Sequence, residues 1–218
     1  MLYVPVCKFK QGEKDALFNL KEETKSVITP LFELTPDRID KEDFKFFDDK
    51  WINEFYFDFS NDATFNADEE IIPTLMAIEK YNSIPCFHLG YENSILQYFN
   101  DSSFDKIALR IDVEEALDDD FIINLSEFIT GLEYDDIDLF IDAKSIDSEN
   151  YKKTAFSIRT ILAEFIDLSL FDRCILLSTS FPETLANNEK NNISFVKRSE
   201  QSLFKTVQEK VERELIYG

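Results

Sequence analysis

Short runs of β-forming, mostly apolar residues recur along the chain, with helix-forming segments between them. The runs start roughly 25 to 40 residues apart, which is the size of one strand–helix unit. A strand, a helix and a further strand in this order form a parallel pair with a right-handed crossover. Seven strands are predicted: Tyr3–Phe9, Ile28–Leu34, Phe55–Ser60, Ile84–Leu89, Ile107–Asp112, Ile137–Asp142 and Cys174–Ser180.

Hydrophobic positions spaced three and four residues apart predict the helices between these strands. In Asp68–Tyr81, for example, the side chains of Ile71, Leu75 and Ile78 fall on one side of a helix. Further helices are predicted at Glu13–Lys25, Asn93–Phe99, Phe121–Leu132 and Tyr151–Ile166, and Pro36–Trp51 is expected to be a loop followed by a helix.

Successive side chains of a strand point to opposite faces, so residue parity assigns each side chain to a face. In the fifth predicted strand, positions 107, 109 and 111 are all apolar, whereas Arg110 and Asp112 lie on the other face. The sixth strand repeats the pattern, with Asp138 and Asp142 opposite three apolar positions. One face is therefore expected to pack beneath helices, while the other carries polar residues near the C-terminal strand ends.

This order of elements predicts an α/β fold, and a TIM-type (β/α) barrel in particular. An open doubly wound parallel sheet is the alternative. The sequence has only four glycines, and no Gly-x-Gly-x-x-Gly follows the first strand, which removes the main support for a dinucleotide-binding domain. No low-complexity linker divides the chain, so residues 1–218 are expected to form a single α/β domain.

The composition of the chain indicates which classes of partner and which compartment are expected. A net charge of −21 is unfavourable for contact with phosphate backbones, so nucleic-acid binding is not expected. The three cysteines fall in predicted strands without disulfide or zinc spacing, which predicts free thiols in a reducing compartment. The sequence has neither a signal peptide nor eighteen consecutive apolar residues, so we expect a cytoplasmic protein without a membrane span. No motif identifies a cofactor.

Polar side chains gather where the predicted strands end. Parallel α/β folds bind ligands at the C-terminal ends of their strands, so these side chains form a candidate site. Burying so many charges without partners would be costly, so they must pair, meet water or meet a ligand. The candidates are Lys8, Lys10, Glu33, Asp58, His88, Arg110, Asp112, Asp142, Ser178, Thr179 and Ser180.

Several strand-end segments resemble one known family, the phage and bacterial beta family proteins ("beta protein"). The resemblance runs in order through nearly the whole chain, and Lys-x-Lys-x-Gly-Glu and Thr-Ser-Phe-Pro are its more specific parts. The segments that carry it are 3–13 (YVPVCKFKQGE), 29–33 (TPLFE), 108–110 (ALR), 139–142 (LFID), 178–183 (STSFPE) and 197–200 (KRSE).

The resemblance implies carriage by phages or by mobile and defence-related bacterial loci, and supplies no activity. Members of the family are usually longer, and in them a Tyr-Gly near this position resembles the start of a further strand. Leu215–Gly218 is therefore expected to open strand eight, which leaves the predicted barrel incomplete at that strand.

The basic candidates have two interpretations, which the sequence leaves open. They could hold a phosphate or carboxylate group, bidentately in the case of arginine. Alternatively, they pair with the nearby carboxylates in a structural ion network. The basic candidates are Lys8, Lys10, Arg110 and Arg198, and Asp112 is grouped with them as a ligand-binding candidate.

The acidic and hydroxyl-bearing candidates are also open to two interpretations. Glu33, Asp58 and Asp142 are the catalytic candidates, because two carboxylates can divide acid and base work. With Asp112 they could chelate a hard cation, but their spacing is not diagnostic, and no metal site is predicted. Thr179 and Ser180 could bind an anion or simply form a turn before Pro182. His88, the single histidine, could be a general base, although a hydrogen-bonded packing role is favoured.

The leading hypothesis is a charged pocket that binds a small anionic ligand, for instance a phosphorylated one, with hydrolase or lyase chemistry as an extension. The alternative is a non-catalytic interaction protein of a phage or bacterial defence locus, with a protein partner and purely structural charges.

Overall fold

The computed structural model describes residues 3–35, 43–59, 65–91, 93–181 and 196–218. Over these ranges, eight strands pair in chain order, all in parallel, within one sheet. They are β1 (Val6–Lys8), β2 (Leu31–Leu34), β3 (Phe55–Phe59), β4 (Ser83–Phe87), β5 (Ile107–Asp112), β6 (Ile137–Ser145), β7 (Cys174–Thr179) and β8 (Ile216–Tyr217). The seven predicted strands and the opening of the eighth are therefore present, with shifted ends. Ser60, predicted to end the third strand, lies outside the described ranges.

Helices follow most of the strands. They are α1 (Gln11–Phe18), α2 (Glu22–Lys25), α3 (Phe46–Asp49), α4 (Ile72–Ile78), α5 (Asn93–Asp101), α6 (Asp119–Thr130), α7 (Tyr151–Thr160) and α8 (Ser199–Gln208). A π-helical turn at Ala67–Ile71 leads into α4, and another at Ile161–Phe165 follows α7. Shorter 3₁₀ turns occur at Asp43–Lys45, Glu115–Leu117 and Leu168–Leu170. Among these helices none is both long and apolar enough to span a bilayer.

The predicted helix Glu13–Lys25 is two helices instead of one. The backbone N–H of Asn19 donates to the Asp15 carbonyl at 3.1 Å, and its side-chain amide donates to the same oxygen at 2.7 Å. Asparagine favours such local bonds over helix continuation, which ends α1 before α2 begins. In the predicted loop and helix at Pro36–Trp51, residues 36–42 lie outside the described ranges, and the remainder forms the 3₁₀ turn and α3.

Residue parity correctly assigns the two faces of the sheet. One face packs against the helices through side chains such as Phe57, Leu109 and Leu139, which join helical residues in one buried cluster. The opposite face forms a second, smaller cluster of buried strand residues. That inner cluster comprises Val4, Leu31, Tyr56, Ile84, Cys86, Ala108, Phe140, Ile175 and Leu177. Cys7, Cys86 and Cys174 are free thiols, as expected.

The α/β class is confirmed, and the eight parallel strands form a curled sheet with helices. An open sheet fits this arrangement as well as the predicted barrel does. At the two ends of the sheet, Tyr3 forms a parallel bridge with Tyr217, and the Val4 N–H donates to the Tyr217 carbonyl at 3.0 Å. Because all eight strands run in parallel, their C-terminal ends lie along one edge of the sheet.

Candidate functional site

The C-terminal ends of the strands open into one cleft of about 1740 Å³. Parallel pairing puts the carboxyl end of every strand at the same edge of the sheet, so polar residues there face a shared space. The cleft is lined in part by Glu33, His88, Arg110, Asp112, Asp142, Lys144, Ser178, Ser180, Arg198 and Tyr217. Most of the predicted strand-end candidates therefore lie around this cleft.

Arg110 of β5 lies at the centre of the charged cluster and is only 8% exposed. Its NH1 donates to Glu33 Oε1 at 2.7 Å and to Asp58 Oδ2 at 2.8 Å. Its Nε and NH2 both donate to Asp142 Oδ2, at 3.1 and 2.6 Å. These pairs join β2, β3, β5 and β6, and they are the ion network that the sequence left open as an alternative.

Asp58 is fully buried and has three donors. Its Oδ1 accepts from the Phe59 N–H at 2.8 Å and contacts His88 Nε2 at 2.8 Å, while Oδ2 faces Arg110. Burial alone would raise the pKa of Asp58, but the charges and hydrogen bonds of His88 and Arg110 outweigh it and hold the pKa at about 2. Asp58 is therefore an ionised acceptor at neutral pH.

The two N-terminal lysines take different positions. Lys8 pairs with Glu33, at 3.1 Å between Nζ and Oε2, so it extends the Arg110 network outwards. Lys10 is exposed, and its carbonyl accepts from the N–H groups of Glu13 and Lys14 where α1 begins. Neither lysine is among the described residues that line the cleft.

A register shift in β6 reshapes the rim between Asp142 and Ser145. Lys144 lies within this shift and has a φ of +51°, a left-handed backbone conformation that residues other than glycine rarely adopt. This backbone lets the Lys144 N–H donate to Asp142 Oδ1 at 2.8 Å and lets its ammonium pair with Asp112. Such bulges commonly redirect a side chain beside a site, and Lys144 consequently lines the cleft.

The β7–β8 side of the cleft holds the remaining predicted residues. Arg198 pairs with Glu200, and the Glu200 N–H donates to Ser180 Oγ at 2.9 Å. The Thr179 hydroxyl accepts from the Phe181 N–H at 3.1 Å, which matches the turn alternative for this residue. The Ser178 hydroxyl is buried and has no hydrogen-bond partner within the described part of the chain. Pro182 lies outside the described ranges.

Comparison with known proteins gives one finding. The family model described as Beta protein matches residues 3–218. The chain belongs to the Beta protein family. The resemblance seen in the strand-end segments is thereby confirmed, and the match spans all of the cleft residues. No curated protein matches the sequence.

In this Beta protein family member, each carboxylate around Arg110 already has a hydrogen-bond partner within the protein. The guanidinium lies between Glu33, Asp58 and Asp142, where a chelated cation would otherwise have to lie. Within the described ranges, no group of three or more histidine, cysteine or acidic residues is arranged to hold a metal ion. The arrangement therefore favours hydrogen bonding over metal chelation by these carboxylates.

A second buried polar network lies at the opposite, N-terminal ends of the strands. Asp138 is fully buried and accepts from the Tyr56 hydroxyl at 2.7 Å and from the Arg173 N–H at 3.0 Å. Lys106 pairs with the same carboxylate at 3.0 Å. Polar groups at this end of parallel α/β folds typically serve stability, so the two networks are assigned different roles.

The sequence favoured a packing role for His88 and did not predict Lys144 or Tyr217 as residues of the site. The hydrogen bond of His88 depends on where β4 ends, since the imidazole follows Phe87 directly. Lys144 depends on a bulge that strict two-residue alternation cannot reveal. A signal for His88 was nevertheless present, because it is the single histidine and falls at a predicted strand end.

Proposed function

We propose that this Beta protein family chain, as one α/β domain, binds a small anionic ligand in the cleft at the C-terminal ends of its strands. The observation that carries the proposal is the convergence of polar side chains from β2, β5, β6, β7 and β8 on one cleft. Concave sites with a few converging polar groups are the usual form of small-molecule pockets.

Arg110 forms the floor of the site and is not its anion-binding group. Four of its hydrogen bonds already go to Glu33, Asp58 and Asp142. Turning the guanidinium towards a ligand would leave buried carboxylates without compensation, which is strongly unfavourable. Glu33 and Asp142, which line the cleft beside Arg110, instead accept hydrogen bonds from hydroxyl or amine groups of the ligand.

The anionic group of the ligand binds on the β7–β8 side. The Arg198 side chain is 60% exposed and lines the cleft, so a ligand can reach its guanidinium while the bond to the buried Glu200 carboxylate stays in place. Ser178, whose buried hydroxyl has no hydrogen-bond partner among the described residues, and Ser180 line the same cleft. TIM-type folds often bind phosphate beside their seventh and eighth strands. A hydroxyl-bearing phosphate, such as a sugar phosphate, fits both sides.

Hydrolase or lyase turnover extends this proposal. Of the three predicted carboxylates, Glu33 and Asp142 line the cleft and are its proposed catalytic carboxylates, whereas Asp58 is fully buried and acts through the residues that it contacts. The low pKa of Asp58, which His88 and Arg110 maintain against burial, excludes it as a proton donor near neutral pH. In such turnover the carboxylates orient ligand groups and stabilise positive charge.

A second candidate function is that of a non-catalytic interaction protein from a phage or defence locus. The observation that favours it is that Glu33, Asp58 and Asp142 are all paired with Arg110, so each already has a partner within the protein. In that case the network only joins four strands, and the cleft binds no small molecule.

The sheet is proposed to close as a barrel at β8. The Val4–Tyr217 hydrogen bond and the stacked rings of Tyr3 and Tyr217, with centroids 5.7 Å apart, support closure. Amide hydrogen exchange tests it, because a bonded Val4 N–H exchanges as slowly as the ladder amides of β5. Fast exchange at Val4 together with slow exchange in β5 would favour the open sheet.

A thermal-shift screen tests the ligand proposal. The probes are inorganic phosphate, sugar phosphates, nucleotides and divalent cations at constant ionic strength. A ligand that binds only the folded state at one hundred times its Kd stabilises that state by about 2.7 kcal/mol and raises the Tm. We expect a sugar phosphate to give this rise and Arg198→Ala to abolish it.

The matched control is Arg159→Ala on α7, which removes an arginine that does not line the cleft. It should retain the ligand-induced rise in Tm. If no probe stabilises the wild-type protein, or if the two variants respond alike, the anion site at Arg198 is wrong and the interaction-protein candidate is favoured.

A further inference from the structure

We propose that His88 is a proton-transfer residue of the cleft, and that Asp58 is the positioning residue that fixes its tautomer. The inference rests on the proposed function, because a proton carrier in the cleft acts on the ligand bound there. It adds the class of ligand group involved, which is a hydroxyl or amine that loses or gains a proton.

The geometry is that of a base held from behind by a carboxylate. His88 Nε2 lies 2.8 Å from Asp58 Oδ1, and Asp58 is itself fixed by the Phe59 N–H and by Arg110. The imidazole lines the cleft, with 17% of its side chain exposed. A general base needs such an orienting partner on one nitrogen and access to the ligand at the other.

The ionisation of Asp58 decides which nitrogen carries the proton. A carboxylate can only accept hydrogen bonds, so Nε2 must be the protonated nitrogen of the neutral ring. Nδ1 then presents a lone pair. Within the described ranges the hydrogen bond of the imidazole is the one at Nε2, and His88 lines the cleft, so Nδ1 is the nitrogen that a ligand can meet.

Neighbouring residues also restrict the orientation of the His88 imidazole. Tyr91, in the loop after β4, packs edge-on against the ring at 5.4 Å between centroids, and its N–H bonds to the His88 carbonyl at 3.1 Å. The charged and titratable groups around the dyad are Asp58 of β3, Arg110 of β5 and Tyr91, with Glu33 and Asp142 beyond Arg110. The ring is therefore held in one orientation by contacts on several sides.

The proton step is balanced within the site. A ligand hydroxyl or amine transfers its proton to Nδ1, and the electron pair of the broken bond stays on the ligand oxygen or nitrogen. The ring becomes an imidazolium whose positive charge faces the Asp58 carboxylate. Returning the proton from Nδ1 to the product restores the neutral ring, so no further reactant is required.

Nuclear magnetic resonance of the ligand-free protein tests the dyad directly, because the chain contains a single histidine and gives one set of imidazole signals. Long-range proton–nitrogen spectra distinguish a protonated from an unprotonated ring nitrogen. We expect the neutral ring to be protonated at Nε2. A neutral ring protonated at Nδ1 would overturn the proposal, without need of any variant.

Asp58→Asn removes the carboxylate and keeps its size. We expect a mixture of both tautomers in this variant, and restoration of the Nε2-protonated form in Asp58→Glu. Asp142→Asn is the matched control, because Asp142 also binds Arg110 but does not contact His88, and it should keep the wild-type tautomer. An unchanged tautomer in Asp58→Asn would contradict the positioning role.

Reaction with diethyl pyrocarbonate supplies the readout for access. The free Nδ1 of the wild-type protein should be acylated in the native state, and a ligand found in the thermal-shift screen should protect it. Native protein whose histidine reacts only after denaturation would overturn the proposed access. Since the tautomer and the acylation are measured without ligand, failure of the dyad is distinguishable from failure of ligand binding.

Discussion

At the scale of single residues, the site depends on one buried arginine among three carboxylates. Burial alone would lower the pKa of Arg110, but the negative charges of the three carboxylates outweigh this effect and hold the pKa above the usual arginine value. Residue parity predicted the face on which Arg110, Asp58 and Asp142 lie. It could not predict that they would pair with one another, because that depends on how the strands are staggered.

Arg110→Met leaves three carboxylates partly or wholly buried without their shared cation. Breaking a buried ion pair by removing one partner costs about 3–5 kcal/mol, and we expect a loss in that range for the free energy of unfolding. Urea denaturation with an unchanged m-value measures it. Lys80→Ala, on the exposed pair of Lys80 with Asp48, should lose far less, because exposed ion pairs contribute little to stability. Similar losses in both variants would mean that the Arg110 network contributes little.

At the scale of elements, the order of strands and helices followed from hydrophobic periodicity, whereas their ends did not. Asn19 ends α1 early, and a register shift in β6 redirects Lys144. Both features depend on local hydrogen bonds that the pattern of apolar residues does not encode. His88 owes its position to the end of β4 at Phe87. The place of the candidate site and most of its residues were therefore predictable, whereas for His88 a general base was only the less favoured alternative to a packing role.

Helix capping gives a prediction at this scale. Asn66 Oδ1 accepts from the N–H groups of Asp68 and Glu69, at 3.0 and 2.9 Å, at the start of the π turn that leads into α4. Asn66→Ala should lower the free energy of unfolding by about 0.5–2 kcal/mol, measured in urea. Lys10→Ala is the control, because Lys10 precedes α1 without any side-chain cap bond. A loss in Lys10→Ala as large as that in Asn66→Ala would contradict this account of the cap.

At the scale of the whole molecule, parallel pairing in chain order gathers all of the C-terminal strand ends at one rim. The same geometry puts the Asp138 network at the other end, so the proposed ligand site and this buried network lie at opposite ends of the sheet. Residue parity assigned Asp138 and Asp142 to the same face but did not separate the two networks, because it carries no information on which side chains pair. The family match then confirmed that one family pattern spans residues 3–218.

The buried carboxylates predict how stability depends on acid. Because His88 and Arg110 outweigh burial, the folded pKa of Asp58 is about 2, below its ordinary value of 3.8. A lowered folded pKa stabilises the protein above about pH 4, and this stabilisation is lost as the pH falls towards 2. We expect Asp58 to account for about 2 kcal/mol of that loss. Asp138, whose pKa burial raises, acts in the opposite sense.

Urea denaturation between pH 2 and pH 6 measures this dependence in the wild-type protein and in Asp58→Asn. The variant should be less stable at pH 6 and should lose less stability on acidification. Asp15→Asn, at an exposed position of α1, should retain the wild-type pH profile. An equally steep acid loss in Asp58→Asn would mean that another group causes it.

The claim on which the account depends is that a small ligand binds among the C-terminal strand ends, and the imidazole of His88 reports on that space. A titration with the sugar phosphate that gives the largest thermal shift, followed through the single histidine signal, measures it directly. We expect a saturable change in that signal in wild-type protein and none in Arg198→Ala. A ligand that stabilises the protein while leaving the histidine signal unchanged binds elsewhere and contradicts the proposed site.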